Sequence, residues 1–133
     1  MEIWIGSRGG TMGSQELERN GIACRSVERM VFGQPIRGMV VETADGVDVL
    51  LTGGHKSHIG AVTVMDAKGN AQTIAFPGHR EDAVTKHWAE AFHEKYDAPL
   101  VVSAGVHYDA LAPEDLPLIL EILEEMLQGL LAQ

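Results

Sequence analysis

PLVVSAGV, residues 99–106, is an unbroken apolar run in a chain whose other strand-like stretches are interrupted by polar residues. A run of this length, bounded by Asp97-Ala98 before it and His107-Tyr108-Asp109 after it, predicts a strand buried on both faces. On either side the hydrophobic period is helical. From Arg80 to Tyr96 the apolar positions are Val84, Trp88, Ala91 and Phe92, a 3.6-residue stripe. After residue 112, Leu116, Ile119, Leu120, Leu123, Met126, Leu127 and Leu130 share one broad face. Pro113 suits a first helical position and Pro117 belongs in a first turn, so Pro113 to Asp115 reads as a separate short turn. A strand between two helices is the C-terminal half of an α+β layer.

The N-terminal half is built of strands. IRGMVVETA (36–44) and VDVLLTG (47–53) flank Ala44-Asp45-Gly46, a hairpin signal, and IGAVTVMDA (59–67) and AQTIAF (71–76) flank Lys68-Gly69-Asn70. RSVERMVFG (25–33) is strand-like with neither face cleanly polar, and Gly33-Gln34-Pro35 reads as the turn after it. The expected architecture is α+β: a mainly antiparallel sheet, a four-strand meander plus one further strand, backed by two helices in the order ββββαβα. Residues 1–20 read as a flexible N-terminal segment, and residues 21–133 as one α+β domain with a ligand site. Leu118, Ile122 and Leu131 fall off the main stripe of the last helix, and burying them predicts a homodimer.

The totals narrow the function. The chain has 133 residues, 45% of them hydrophobic, with a formal charge of −9. Such an acidic balance disfavours nucleic acid and anionic membranes, which attract clustered Lys and Arg. From Asp97 to the C-terminus there is no Lys or Arg at all, so a local positive pocket must draw on earlier residues such as Lys56 and Arg80. The single cysteine, Cys24, allows no intrachain disulfide, and no secretory leader is visible, so the reducing cytoplasm is the expected compartment. There is no G-x-S-x-G elbow, P-loop, G-x-G-x-x-G or H-E-x-x-H. No catalytic residue is assigned.

Three histidine-bearing loops hold the polar chemistry. TGGHKSHIG (52–60) offers glycines for close backbone approach, Lys56 as a point charge, and His55 and His58 three residues apart. That spacing does not by itself specify a metal. FPGHRED (76–82) stands where a strand ends and a helix begins, so helix amides with His79 and Arg80 suit an anion; equally, Glu81 and Asp82 favour the positive helix end and Arg80 can pair with one of them. SAGVHYD (103–109) places His107 and Asp109 at a strand exit, as ligand donor, metal ligand, general base or ordinary turn residues.

Taken together, GGHKSHIGAV, PGHRED and GVHYDALAPED resemble the LpdD-type proteins, described as prenylated-flavin chaperones that accompany UbiD-type decarboxylases of hydroxyaromatic acids. The resemblance spans roughly Cys24 to Leu131 and is carried by Gly54, His58 and Gly60, then Pro77, Gly78 and His79, then Gly105, His107 and Asp109. Ser57 departs from the family's frequent proline before HIG. The resemblance implies a small sheet backed by helices, similar to proteasome-assembly-chaperone domains and paired as a homodimer. It implies a non-catalytic carrier of prenylated FMN, or FMN, with a UbiD-type decarboxylase and a flavin prenyltransferase as partners. The expected cofactor-binding residues are Gly54, Lys56, His58, Gly60, Gly78, His79, Arg80, His107 and Asp109. Lys56 and the helix start at His79–Arg80 would neutralise the phosphate dianion, or a divalent metal ion on His58, His79 and His107 would bridge to it. Two other readings compete: a metal-dependent hydrolase or lyase using those three histidines, and a protein-interaction module docking through the apolar C-terminal helix.

Overall fold

The computed structural model of the protein describes residues 21–133; the segment expected to be flexible, residues 1–20, lies outside the described residues. Strands β1 (Ala23–Val31), β2 (Gln34–Thr43), β3 (Gly46–Gly54), β4 (Ala61–Met65) and β5 (Ala71–Ala75) precede helix α1 (Asp82–Lys95). Strand β6 (Leu100–His107), a 3-10 turn (Pro113–Asp115) and helix α2 (Leu116–Leu131) complete the chain. The class is α+β, as the periodicities predict.

Strand count and order differ from the expectation. RSVERMVFG is a full strand, so five strands rather than four precede α1. It is an edge strand and stays half-exposed, which is why neither of its faces reads as core. The β1–β2 turn falls on Phe32-Gly33, one residue earlier than the sequence signal, with φ of 49° and 77° and Val31 paired to Gln34, the backbone of a two-residue hairpin loop.

The larger correction concerns β3 and β4, which are not neighbours. The sheet order is β1-β2-β3-β6-β4-β5. Strand β6 enters between them, parallel to β3 and antiparallel to β4. Residues 55–60 are therefore a crossing loop rather than a hairpin turn. The β6 run is fully buried at Leu100, Val102 and Ala104 and half-buried at Val101 and Ser103, so it is shielded on one face and only partly on the other.

Both helices pack on that one face. Trp88 and Phe92 of α1 and Leu123, Met126, Leu127 and Leu130 of α2 close over Ile36, Val40, Val49, Leu51 and Val102. The buried hydroxyls of Thr63 and Thr85 bond each other at 2.8 Å, fixing α1 over β4. Leu116 and Leu120, expected in the buried stripe, are exposed instead, as is Leu118, whereas Ile122 and Leu131 pack against the chain's own core. His87 of α1 is exposed and 2.7 Å from Glu124. His93 is half-buried on the β4–β5 turn, 3.0 Å from the Ala67 carbonyl. On the uncovered sheet face Val64 and Ile74 are exposed. No helix of the described residues is long and apolar enough to cross a membrane.

One polar network ties the far end of the layer together. The Arg25 guanidinium donates to Glu42 (2.6 Å), to the Tyr96 hydroxyl oxygen (2.6 Å) and to the Leu130 carbonyl (3.1 Å), and the Tyr96 hydroxyl donates to Glu42. Burial alone would raise the Glu42 pKa, but the hydrogen bonds from Tyr96 and Arg25 outweigh it and hold the carboxyl below its ordinary value. A lowered folded-state pKa stabilises the fold at pH above the ordinary glutamate value, about 4.5, and that contribution is lost as pH falls through the folded value. Glu42→Gln is expected to cost about 2 kcal/mol at neutral pH. In urea melts, the gap between the two proteins should be flat from pH 5 to 8 and shrink in acid; a gap that widens in acid contradicts this assignment.

Candidate functional site

The three histidine loops converge on one end of the sheet. The parallel register sets Gly54 opposite His107 at the shared ends of β3 and β6. Thr52 stitches the crossing loop to that end: its hydroxyl oxygen accepts from the His58 N–H (3.0 Å), and its single hydrogen is shared between the Gly105 and His58 carbonyls (2.9 and 3.1 Å). The Gly60 N–H donates to Ala104 and the Phe76 N–H donates to Gly60, both at 2.8 Å, which brings the end of β5 and the turn into α1 alongside.

His58, His79 and Glu81 form the centre. His58 Nε2 is 3.1 Å from Glu81 Oε1, His79 Nδ1 is 3.6 Å from Glu81 Oε2, and the two imidazole rings lie 4.7 Å apart. Their ligating atoms all fall within 4.8 Å of one another. Glu81 is the N-cap residue of α1, yet no side chain caps that helix; the carboxylate turns toward the histidines instead. It is seated against Gly60, where a Cβ would come within 2.3 Å of Glu81 Oε2. That oxygen is buried and has no hydrogen-bond partner among the described residues.

His107 belongs to a second group. Its Nε2 lies 2.8 Å from Asp109 Oδ1, and its ring centroid is 6.4 Å from that of His58. His55 goes with it: its Nδ1 accepts from the Asp109 N–H at 3.2 Å, and its ring meets Tyr108 edge-on at 5.4 Å. The two histidines of GGHKSHIG thus serve different clusters, and the groups that share a centre with His58 are His79 and Glu81. Lys56 is exposed and contributes its carbonyl to His58 Nδ1 at 3.2 Å. Gly78 lies in the exposed turn before His79. Arg80 is exposed and makes no ion pair or hydrogen bond among the described residues.

Beside this polar end runs an apolar groove of about 200 Å³, walled by Val84, Val106, Tyr108, Leu111, Leu116 and Leu120, with Arg80 and Glu81 also lining it. The volume is below the roughly 300–1,000 Å³ of an enclosed small-molecule site, so a flavin-sized ligand would be only partly covered. Burial raises the Tyr108 pKa, and its hydroxyl donates to the Val31 carbonyl at 2.9 Å. Leu116 and Leu120, exposed on an otherwise core-facing stripe, form part of the groove's wall. Glu81, Thr52 and Tyr108 escape a reading of the sequence, because each has an ordinary local role: helix-end acid, strand threonine, loop aromatic.

A family model for the prenylated flavin chaperone LpdD-like domain matches residues 32–133. No curated protein matches the sequence. Among solved structures, a chain from the crystal structure of a chaperone complex for yeast 20S proteasome assembly is similar over 80% of this chain and 94% of that one, at 16% identity and a TM-score of 0.48.

Proposed function

Because the chain belongs to the prenylated flavin chaperone LpdD-like family, we propose that it is a non-catalytic carrier that binds prenylated FMN at this end of the sheet and delivers it to a UbiD-type aromatic-acid decarboxylase. The observation that carries the proposal is the shared wall: Arg80 and Glu81 line the apolar groove, and Glu81 also touches His58 and His79. A ligand there meets an apolar surface on one side and, on the other, a polar edge that carries the Arg80 guanidinium and the histidines. Prenylated FMN has both characters, an apolar ring system with its added prenyl group and a phosphate dianion.

The residues divide the work by chemistry. Val84, Val106, Leu111, Leu116 and Leu120 shield the apolar part from water. Arg80 provides a planar fork for phosphate. The cofactor supplies the decarboxylation chemistry in the recipient enzyme, so this chain has only to hold it, shield it and let it go. A shallow, half-open groove suits release, since part of the ligand stays available to the acceptor. The reading includes a homodimer acting in the cytoplasm; sedimentation of the full chain measures the first.

Titrating reduced prenylated FMN and ordinary FMN against the purified chain, then adding apo-decarboxylase, tests the proposal. The prenylated form should bind more tightly and then move to the enzyme. Leu120→Asp should weaken binding about tenfold, the loss of part of one leucine's apolar contact. Absence of binding by either flavin would falsify the carrier reading.

A further inference from the structure

The carboxylate of Glu81 stands in an arrangement that calls for a cation. His58 Nδ1 faces the Lys56 carbonyl at 3.2 Å. Both ring nitrogens of His58 thus face oxygens that only accept, Nδ1 the Lys56 carbonyl and Nε2 Glu81 Oε1 at 3.1 Å. A neutral imidazole has one N–H and satisfies one of them, so the other contact asks for a positive charge. The other carboxylate oxygen is buried without a partner and has His79 Nδ1 3.6 Å away. Glu81 does not cap its own helix, and Gly60 leaves room for its carboxylate where any side chain would collide.

We infer that His58 Nε2, His79 Nδ1 and the Glu81 carboxylate bind one divalent first-row transition-metal ion. Donors about 2.0–2.1 Å from a tetrahedral ion lie roughly 3.3 Å apart; each imidazole nitrogen stands 3.1 or 3.6 Å from one oxygen of the carboxylate, and the three ligating atoms all lie within 4.8 Å of one another, so a small inward shift would seat the ion. With the ion on Nε2, His58 Nδ1–H would donate to the Lys56 carbonyl 3.2 Å away, the orientation that ligating histidines commonly have. Two imidazoles and a carboxylate, with no sulfur, favour ions such as Zn²⁺, Co²⁺ or Ni²⁺. Three protein ligands leave an open position for an outside donor such as a phosphate oxygen. Such an ion would also answer an electrostatic difficulty, because Glu81 and Asp82 oppose an anion at this helix start. The inference does not rest on flavin binding.

Zinc uptake by tag-free, chelator-stripped protein, measured without flavin by calorimetry and elemental analysis, tests it. The expected result is one Zn²⁺ per chain, with Glu81→Gln and His79→Ala each weakening binding about tenfold or more, and His87→Ala unchanged. Near-UV circular dichroism reports whether Glu81→Gln folds; if it does not, the half-exposed His79 decides. Substoichiometric uptake by the folded wild-type chain overturns the inference. Uptake indifferent to the site variants overturns it too, by placing the metal elsewhere.

Discussion

Gly105→Ala should lower the stability of the domain by about 3 kcal/mol and flavin affinity with it, for a change of one methyl group. Gly105 lies in β6 opposite Thr52 of β3, under the crossing loop. A Cβ there would stand 2.2 Å from the His58 carbonyl oxygen and 2.6 Å from its carbon. Those are backbone atoms, and Thr52 holds them from both sides, taking the His58 N–H and sharing its hydrogen with the His58 and Gly105 carbonyls. The clash cannot be relieved by one rotamer. Either the loop lifts, breaking those bonds and moving His58 away from Glu81, or β6 shifts against β3. Gly129→Ala is the matched control, because nothing lies within 4 Å of the added atom and the residue sits in α2; it should gain roughly 1 kcal/mol from helix propensity. Thermal melts should separate the two by more than about 10 °C. Coincident melting of Gly105→Ala and wild type would show that the crossing loop is not packed as described.

This contrast bears on what a sequence can convey. The stripes of α1 and α2, the Asp45-Gly46 hairpin and the apolar run of β6 are local patterns, each caused by which face of its own element is buried, and they were legible. The place of β6 was not. Which strand lies beside which is settled by non-local pairing, and the polar stretch 55–60 looks the same whether it turns back or crosses over. The histidine loops stood out because glycine and imidazole interrupt strands there, yet their division into two clusters follows from the three-dimensional turn between His55 and His58. Glu81 was hidden by a sufficient local explanation: an acid at a helix start is expected from the dipole. Only the placement of Gly60 against it and the absence of a side-chain cap reveal that it faces the histidines.

Arg80→Glu should weaken binding of prenylated FMN about a hundredfold, weaken ordinary FMN by the same factor, and leave a flavin without phosphate unchanged. A charge-assisted hydrogen bond to phosphate contributes about 1.5–3 kcal/mol, and near 2.7 kcal/mol is a hundredfold. Reversing the sign adds repulsion in a chain whose formal charge is already −9. Folding should be indifferent, within about 0.5 kcal/mol, because Arg80 is exposed and unpaired among the described residues. Arg80→Lys should fall between, keeping the charge but not the planar fork. Raising the salt concentration should weaken the wild-type complex and narrow the difference from Arg80→Glu, as expected for a charge open to solvent. The phosphate-free flavin is the decisive arm. Should its affinity fall as far as that of FMN, Arg80 acts on the apolar groove and the phosphate is held by other groups; should none of the three ligands respond, the cofactor does not meet this end of α1.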